Sequence, residues 1–471
     1  MLFLPELTLL GAGLVIFLVS LGKPASNTVK NIALALGVCI LAAAAAGMGQ
    51  QGNLFFDSYR VDLFSQVFKV LIAASMLAVL IFGRKLASVK QDVHAEYYLF
   101  LFSGVLGMMM LVSSVDLLAI FVSLELSSFA VYIMVPMRDD SGAIKFQMEA
   151  GAKYLLFGVM ATSIMLFGMS YIYGLTGSTH LPVIVKAFSS MSNQPAAVAA
   201  MAMVLAGFFY KLAIFPFHFW VPDIYEGAAN ETTAFISSVP KLAAVALLIR
   251  LISMVSADQG QTLLNVLKVC AVLSMFYGNL SALVQKDLKR MLGFSGIAHA
   301  GFVLLGLLTM QANGYANALY YIMGYAVMNL ACFLVICSVA KDGENILIED
   351  LSGLHKRSPF LALTLAIGLF ALAGIPPFVG FMGKFYILVG ALKQDYIVLV
   401  TLAAINTAIA IYYYLSVVRV TYCSNPAQQE TVEPRMLTTV TALILLTIIV
   451  AMGVQPQRFI DFAQAAIQSI M

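Results

Sequence analysis

Long apolar stretches, separated by short polar loops, run through the whole chain. A helix that crosses a membrane needs about 20 mostly apolar residues. The pattern predicts fourteen such spans, at 2–22, 31–48, 63–83, 97–114, 117–137, 154–174, 197–221, 232–255, 261–284, 292–310, 316–340, 360–391, 397–418 and 437–454. The twelfth stretch is too long for one straight crossing, and Pro376-Pro377 interrupts it. We therefore expect an all-α integral membrane protein forming one polytopic membrane domain (1–471).

The composition supports this class of protein. Of 471 residues, 61% are hydrophobic and 10% are charged, with a mean hydropathy of +0.94, whereas a soluble domain carries about 25% charged residues. The first stretch lacks a basic region and carries Glu6, so it is predicted to be a retained helix and not a cleaved signal peptide. The formal net charge of +3 gives no reason to expect a nucleic-acid partner, because the charges are sorted by topology.

Basic residues are distributed unevenly between alternate loops. With fourteen spans and an outside N-terminus, sixteen of them fall on one face and four on the other. The sixteen are Lys23, Lys30, Arg84, Lys85, Lys90, Arg138, Lys145, Lys153, Lys286, Lys289, Arg290, Lys341, Lys356, Arg357, Arg419 and Arg435, and the four are Arg60, Lys186, Lys393 and Arg458. Loops rich in lysine and arginine stay in the cytoplasm. The sequence therefore predicts that both termini lie outside.

The two broken spans resemble each other in composition. The seventh places a lysine five residues before Pro216, and the twelfth places a lysine seven residues after Pro377. Matched broken helices in two parts of a chain are typical of inverted repeats, and the working site of such transporters lies at the break. We therefore expect spans four to eight (97–255) and nine to thirteen (261–418) to form two inverted five-helix repeats, with helices seven and twelve broken.

Lys211 lies in the middle of an apolar span and is the most informative residue of the chain. A lysine at bilayer depth costs roughly 2.5–3.5 kcal/mol on insertion scales. A helix tolerates that cost where the ammonium finds water, a carboxylate or another polar partner. Pro216 then breaks the helix, and the titratable ring of His218 follows. This combination indicates a path for ions or protons through a membrane.

Glu125, Lys241 and Lys384 are further ionisable residues inside spans. Lys211 and Lys241 are thirty residues apart, which allows half a helix, a turn and half of the returning helix, so similar depths are expected. Burial and like charges disfavour the charged form of a lysine, so such groups can exchange protons near neutral pH. The four residues are interpreted as stations of a proton relay. The alternatives are a static ion pair at Glu125 and snorkelling of Lys241 to a face.

His299 lies inside the tenth span, where it could link the two lysine sites, because neutral imidazole both donates and accepts a proton. The alternative is a core histidine satisfied by one hydrogen bond. His218, Lys153 and Lys268 are accessory candidates. Lys153 is near a face and could simply cap its span, while Lys69 and Lys268 are either relay members or partners for lipid headgroups.

No cofactor or metal motif is found in the sequence. The five cysteines are scattered without C-x2-C spacing, which argues against a metal, an iron–sulfur cluster or a disulfide framework. The segment Gly47-MGQQ-Gly52 matches G-x-G-x-x-G but follows a membrane helix and starts no βαβ unit, so it is not a dinucleotide fingerprint. We expect neither a catalytic redox centre nor a bound metal or cofactor on this chain.

Four stretches together carry a family resemblance. They are Tyr210-KLAIFPFHFWVPDIYEG-Ala228, Gln285-KDLKRMLGFSGIAHA-Gly301, Ala373-GIPPFVGFMGKF-Tyr386 and the span around Glu125. They resemble the antiporter-like membrane subunits of respiratory complex I, a family shared with multisubunit sodium/proton antiporters. The resemblance covers nearly the whole chain, from about the second span to the fourteenth, and its motifs are long and ordered.

The resemblance implies roles for the buried residues. It implies a Glu125–Lys211 pair and a connecting Lys241. It places the exit station at Lys384, and His299 matches the central histidine of the family. Such a chain would be a non-redox, proton-translocating subunit of an NADH:quinone oxidoreductase of the bacterial inner membrane. FMN, iron–sulfur clusters and quinone would be bound by other subunits, and the partners would be other membrane subunits of the complex and lipids.

Two other functions remain open at this point. A subunit of a multisubunit sodium/proton antiporter would contain the same lysines and broken helices without any redox partner. A purely structural subunit would use its buried ion pairs only to fix helix packing.

Overall fold

A bundle of membrane-spanning helices makes up the computed structural model. It describes residues 1–22, 24–83, 86–139, 146–188, 191, 194–253, 261–340, 342–424 and 431–471, and only the backbone of 261–263. The helices of these residues are α1 (Leu4–Leu21), α2 (Ser26–Ala46), α3 (Leu63–Phe82), α4 (His94–Ser113), α5 (Leu117–Met134), α6 (Phe146–Thr176), α7 (Leu181–Phe188), α8 (Pro195–Leu212), α9 (Trp220–Gly227), α10 (Asn230–Ser253), α11 (Gln261–Ala282), α12 (Leu288–Leu307), α13 (Ala312–Val339), α14 (Leu354–Arg357), α15 (Pro359–Ala373), α16 (Val379–Leu392), α17 (Ile397–Cys423), α18 (Met436–Val454) and α19 (Pro456–Gln468). The strands β1 (Gly52–Leu54) and β2 (Tyr59–Val61) form an antiparallel hairpin.

The predicted membrane architecture is confirmed. Thirteen helices of the described residues are long and apolar enough to cross a membrane. The predicted twelfth span is divided into the shorter apolar helices α15 and α16, and the seventh is divided into α8 and α9. The hydropathy pattern does not predict the β-hairpin, α7 or α19, because each is too short or too polar to cross a membrane. The inverted relation between 97–255 and 261–418 stays a prediction.

We call the face on which sixteen basic residues are predicted the basic face. Five of those residues, Lys23, Arg84, Lys85, Lys145 and Lys341, lie outside the described part of the chain. Arg138 and Lys289 meet at this face, where both donate to the C-terminal end of α9. Arg138 lies 2.8 Å from the carbonyl oxygen of Glu226, and Lys289 lies 2.9 Å from that of Ala228. Cations stabilise a helix C-terminus, because its last carbonyls lack intrahelical partners.

Helices α10, α12 and α13 form the centre of the bundle. Nearly every residue of α10 and α12 is buried, and α13 is buried along most of its length. Helix α10 packs against α3, α4, α8 and α13, and α12 packs against α9, α11, α13 and α16. The three central helices therefore connect the N-terminal and C-terminal parts of the chain, and two of the residues singled out from the sequence lie on them, Lys241 on α10 and His299 on α12.

The break in the seventh span begins with a left-handed residue. Ala213, at φ 60°, ends α8, and the N–H of Ile214 donates back to the carbonyl of Phe209 at 2.9 Å. This hydrogen bond over five residues, after a left-handed residue, is the Schellman arrangement that stops a helix while satisfying its last carbonyls.

The twelfth span breaks in the same way. Gly374, at φ 87°, ends α15, and the N–H of Ile375 donates to the carbonyl of Phe370 at 3.0 Å. Both breaks thus follow one local pattern: phenylalanine, three residues, a small left-handed residue, isoleucine, then proline within two residues. This shared pattern confirms that helices seven and twelve are broken.

Two glycines allow close helix crossings. A Cβ on Gly107 of α4 would lie 2.6 Å from the backbone nitrogen of Ser127 in α5. A Cβ on Gly278 of α11 would lie 2.6 Å from the backbone nitrogen of Ala298 in α12. Since backbone cannot move aside as a side-chain end can, both positions require glycine, and small residues at crossings are common in membrane bundles.

Replacing Gly107 or Gly278 by Val should push these helix pairs apart. Overpacking a well-packed interior costs about 1–3 kcal/mol, occasionally more, so each variant should unfold at a lower temperature than the natural protein in a detergent melt. Gly174→Val is the matched control, because nothing lies within 4 Å of a Cβ at that position. Equal melting of all three variants would show that the crossings are not tightly packed.

Candidate functional site: buried lysines between broken helices

Lys211 lies at the end of α8, immediately before the break, and is buried. Its ammonium makes no hydrogen bond to any described residue. The side chain faces a narrow gap between helices, lined by Met108, Leu111, Leu124, Ser127, Phe208, Pro240, Ala243 and Ala244. The gap thus separates Lys211 from α10, the helix that carries Lys241. The similar depth of these two lysines stays a prediction.

Glu125 lies on α5 at the edge of the bundle and is only half-buried. Its carboxylate is within electrostatic range of Lys211. No ion pair within 4.0 Å joins the two among the described side chains, and the Oε1 atom of Glu125 lacks a hydrogen-bond partner there. The direct Glu125–Lys211 pair therefore stays a prediction, and the arrangement is that of an acid and a base separated by a short gap.

The break after Lys211 is held by α11. The backbone N–H of Phe215 donates to the Oγ of Ser274 at 2.9 Å. The ring of His218 is buried and lies 4.2 Å, between ring centroids, from that of Tyr277. Neither nitrogen of His218 has a hydrogen-bond partner in the described structure. This accessory candidate therefore packs among aromatic rings and is not placed in a hydrogen-bonded chain with the lysines.

Lys241 is 2% exposed, at the centre of the bundle. Its ammonium donates to the hydroxyl of Tyr325 at 3.1 Å and lies 5.0 Å from the centroid of that ring. A Cβ on Gly296 of α12 would lie 2.6 Å from the Lys241 Nζ. The lysine therefore occupies space that a glycine provides. Its ammonium stays inside the bundle, so the alternative that Lys241 extends to a membrane face is excluded.

His299 is surrounded by tyrosines and lies near both Lys241 and Lys384. Its Nδ1 lies 2.6 Å from the Tyr321 hydroxyl, and its Nε2 lies 3.2 Å from the Tyr414 hydroxyl. Its ring centroid is 5.0 Å from that of Tyr325, the partner of Lys241. With partners on both nitrogens, the histidine is more than a core residue with one hydrogen bond.

Lys384 lies on α16, just past the second break, and is buried. Its ammonium donates to the carbonyls of Leu372 and Ala373, at 3.1 and 3.0 Å, which are the last two residues of α15. Positive charge at a helix C-terminus is favourable. The break thus creates the acceptors that hold this lysine, and both Lys384 and Lys241 lie within electrostatic range of His299.

The sequence did not single out the tyrosines of this site. Tyr325 supplies the hydroxyl that accepts from Lys241, and Tyr321 and Tyr414 supply the hydroxyls that contact His299. Tyr413 extends the network by donating to Asn279 at 3.0 Å. The only signal in the sequence was the repeated tyrosine of α13 and the Tyr412-Tyr-Tyr run of α17, and aromatic residues in a membrane helix are usually packing residues.

The accessory candidates Lys153 and Lys268 make no contact with Lys241, His299 or Lys384 that the described structure records. Lys153 is half-exposed and pairs with Glu149 at 2.7 Å and with Asp223 at 2.6 Å. This arrangement favours the interpretation that it caps its span. Lys268 lies on α11 and is partly buried, with its ammonium 4.2 Å from the centroid of the Tyr396 ring.

A second set of buried ions lies at the opposite face. Lys69 pairs with Glu6 at 2.8 Å, and the Tyr59 hydroxyl donates to the same carboxylate at 2.6 Å. Arg250 makes a two-point contact with Asp62, at 2.9 and 3.1 Å. These pairs connect α1 to α3 and α3 to α10. Lys69 is thus a partner of a carboxylate and not of lipid headgroups, a pairing across 63 residues that the sequence pattern does not reveal.

The arrangement is suited to moving protons. Every member from Lys211 to Lys384 can hold or pass a proton, and low-dielectric surroundings disfavour the charged form of each ionisable group. Among the described residues no three His, Cys, Asp or Glu side chains form a group that could hold a metal ion. The fold and the site together define an antiporter-like membrane subunit, in which buried lysines lie beside two broken helices.

Comparison with known proteins identifies the family. The model of the family described as "NADH:quinone oxidoreductase/Mrp antiporter, TM" matches residues 114–410. The chain is 48% identical over 460 residues to NADH-quinone oxidoreductase subunit N 2 of Opitutus terrae, with 98% of this chain and 96% of that protein covered. The chain therefore belongs to the NADH:quinone oxidoreductase/Mrp antiporter membrane family, and within it to the subunit N family of NADH-quinone oxidoreductase.

Solved structures share the fold. A chain of respiratory complex I from Thermus thermophilus is 27% identical, with a TM-score of 0.82 over 97% of this chain and 98% of that one. A chain of the Mrp complex from Dietzia sp. DQ12-45-1b is 21% identical, with a TM-score of 0.85 over 100% of this chain and 98% of that one. At that identity the second likeness shows a common fold alone.

The Glu6–Lys69 pair should be sensitive to the removal of one partner. Glu6→Leu leaves a buried ammonium without its carboxylate, which costs about 3–5 kcal/mol, whereas replacing both partners by apolar residues is often near neutral. We expect Glu6→Leu to lower the melting temperature of the purified complex strongly. The Glu6→Leu/Lys69→Met double variant should recover part of the loss, because the buried Tyr59 hydroxyl still lacks its acceptor. A double variant that melts lower than the single variant would contradict this account.

Proposed function

We propose that this chain is a proton-translocating membrane-arm subunit of an NADH:quinone oxidoreductase. It would move protons through Glu125, Lys211, Lys241, His299 and Lys384. Redox chemistry on other subunits would drive the transfer. The observation that carries the proposal is the cluster at the centre of the bundle, in which Lys241 donates to the Tyr325 hydroxyl and the Tyr325 ring packs against His299. Lys211 and Lys384 lie beside the two breaks.

The proposed setting follows from the family. The full-length relative in Opitutus terrae is named as a subunit of NADH-quinone oxidoreductase, and the Thermus thermophilus structure is titled as respiratory complex I. FMN, iron–sulfur clusters and quinone would then reside on other subunits, with other membrane-arm subunits and lipids around this chain. The chain would lie in the bacterial inner membrane with its basic face in the cytoplasm and its termini outside.

Coupling requires a site whose proton affinity differs between two states. Glu125 and Lys211 are suited to that role, because they are close enough to interact but do not form a direct pair in the described structure. Closing that gap would favour the ammonium of Lys211, and opening it would release the proton toward Lys241. Moving one charge against 100 mV takes about 2.3 kcal/mol, which a change of about two pKa units supplies at roughly 1.4 kcal/mol each.

The runner-up function is a subunit of a multisubunit sodium/proton antiporter. The Mrp likeness supports only the fold, while the full-length relatives are named for the oxidoreductase, so the first proposal is better supported. Purifying the tagged chain in mild detergent separates the two. Flavin, iron and NADH:quinone turnover should accompany it. Purification with other hydrophobic subunits alone, together with sodium-dependent proton exchange, would favour the antiporter.

Lys241→Met should abolish proton pumping by the assembled complex. Methionine keeps the length and apolar stem of the side chain but cannot carry a proton. Pumping is measured as acidification of proteoliposomes per quinone reduced. Lys153→Met is the matched control, because that lysine is half-exposed and paired with two carboxylates, and it should pump normally. Normal pumping by Lys241→Met would exclude the relay.

Gly296→Ala should impair pumping without removing any ionisable group. The added methyl group would overlap the space of the Lys241 ammonium and lie 3.0 Å from the Tyr325 hydroxyl, so the lysine must move off its tyrosine partner. A displacement of about 1 Å can slow a proton transfer about 100-fold. Unaltered pumping would show that the Lys241–Tyr325 contact is not part of the path. Gly174→Ala, in open space on α6, is the control.

A further inference from the structure

Helix α10 is divided at Lys241 into a polar half and an apolar half. From the basic face to Lys241, six polar side chains are each at most 4% exposed: Asn230, Glu231, Thr232, Thr233, Ser237 and Ser238. From Leu242 to Ile249 every residue is apolar and at most 1% exposed. A buried helix has no packing reason to concentrate its polar residues in one half, since buried polar groups cost free energy unless they find partners.

The polar half is connected to α13 one turn before Lys241. The side-chain amide of Asn329 donates to the hydroxyl of Ser237 at 2.7 Å and to that of Ser238 at 2.9 Å. These groups are buried, so they form a polar patch inside the bundle between the basic face and the lysine. Hydroxyl groups both donate and accept, which allows them to pass a proton.

Glu231 lies at the entrance of this half. Its side chain is 4% exposed, and its Oε2 atom has no hydrogen-bond partner among the residues that the structure describes. A Cβ on Gly83, the residue that follows α3, would lie 2.7 Å from the Cγ of Glu231, so the stem of this side chain occupies space that a glycine leaves free. The charged groups that face it are Lys289 on α12, Arg138 and Lys30. Of these, the Lys289 ammonium donates to the carbonyls of Ala228 and Glu226.

The spacing along α10 aligns these residues. Glu231 and Ser238 are seven residues apart, which is nearly two helical turns, so they share a face of the helix. Lys241 follows one turn later. The ten residues from Glu231 to Lys241 rise about 15 Å at 1.5 Å per residue. That distance is too long for direct transfer, so the hydroxyls of Ser237 and Ser238 and water between them would complete the path.

We propose that Glu231 is the first proton acceptor of an inlet that runs along the polar half of α10 from the basic face to Lys241. The inference rests on the proposed function and adds the side from which Lys241 takes up protons. A proton from water at the basic face binds the Glu231 carboxylate and forms the carboxylic acid. The acid then gives its proton to the hydroxyl and water chain, the Lys241 amine becomes the ammonium, and Glu231 returns to the carboxylate. The apolar half separates Lys241 from the opposite face.

The test is proton pumping by the complete complex in proteoliposomes, measured per quinone reduced. Removing a general acid–base group slows its transfer typically 100-fold or more, so Glu231→Gln should reduce pumping at least about tenfold. Glu231→Asp keeps a carboxylate and should restore pumping to near the natural level. Glu349→Gln is the matched control, because it neutralises an exposed carboxylate outside the bundle and should pump normally.

A second variant probes the middle of the inlet without altering charge. Ser237→Ala/Ser238→Ala/Asn329→Leu replaces all three hydrogen-bonding groups together, so none is left unsatisfied, and it should reduce pumping as Glu231→Gln does. If Glu231→Gln fails to assemble into the complex, the triple variant tests the inlet in its place. Normal pumping by either assembled variant would overturn the inlet. In that case a pumping defect in Lys241→Met would leave the proposed function intact, whereas normal pumping in Lys241→Met would exclude the function itself.

Discussion

The cost of placing a lysine ammonium inside a membrane bundle governs this structure. Four lysines meet that cost in different ways. Lys69 has a carboxylate, Lys384 has two helix-end carbonyls, Lys241 has one phenol, and Lys211 has no hydrogen-bond partner in the described part of the chain. The fewer the partners, the smaller the free-energy difference between ammonium and amine. In the proposed relay, Lys69 would therefore keep a fixed charge, while Lys241 and Lys211 would exchange protons.

The helix breaks make such an arrangement feasible. Each break ends a helix with satisfied carbonyls after a left-handed small residue, Ala213 or Gly374, and frees backbone and space inside the bundle. Lys384 uses that backbone directly, and Lys211 uses the space. Between them, the polar half of α10 and the tyrosines around His299 would form the proposed path for protons. The apolar half of α10 closes the direct route to the opposite face.

Much of this architecture could be predicted from the sequence, because hydropathy sets the spans and proline marks the breaks. The burial of Lys211, Lys241 and Lys384 could also be predicted, since all three lie inside apolar spans. The hydrogen-bond and ion-pair partners of these buried groups could not be predicted from the sequence. Tyr325 and Tyr414 look like packing residues until neighbouring helices are placed, and Glu6 meets Lys69 only through tertiary packing. The amphipathic helix α19 and the β-hairpin fall below the length that hydropathy detects.

The most direct test of the account is whether Lys241 changes protonation during turnover. Infrared difference spectra of the complex, recorded between oxidised and reduced states with 15N-lysine in this chain alone, report ammonium and amine bands. The account predicts isotope-shifted bands that weaken in Lys241→Met, which lacks one of the exchanging lysines, and that are unchanged in Lys153→Met. Difference spectra that are unchanged by Lys241→Met would show that this lysine holds the same charge throughout turnover, and would contradict a proton relay through the centre of the bundle.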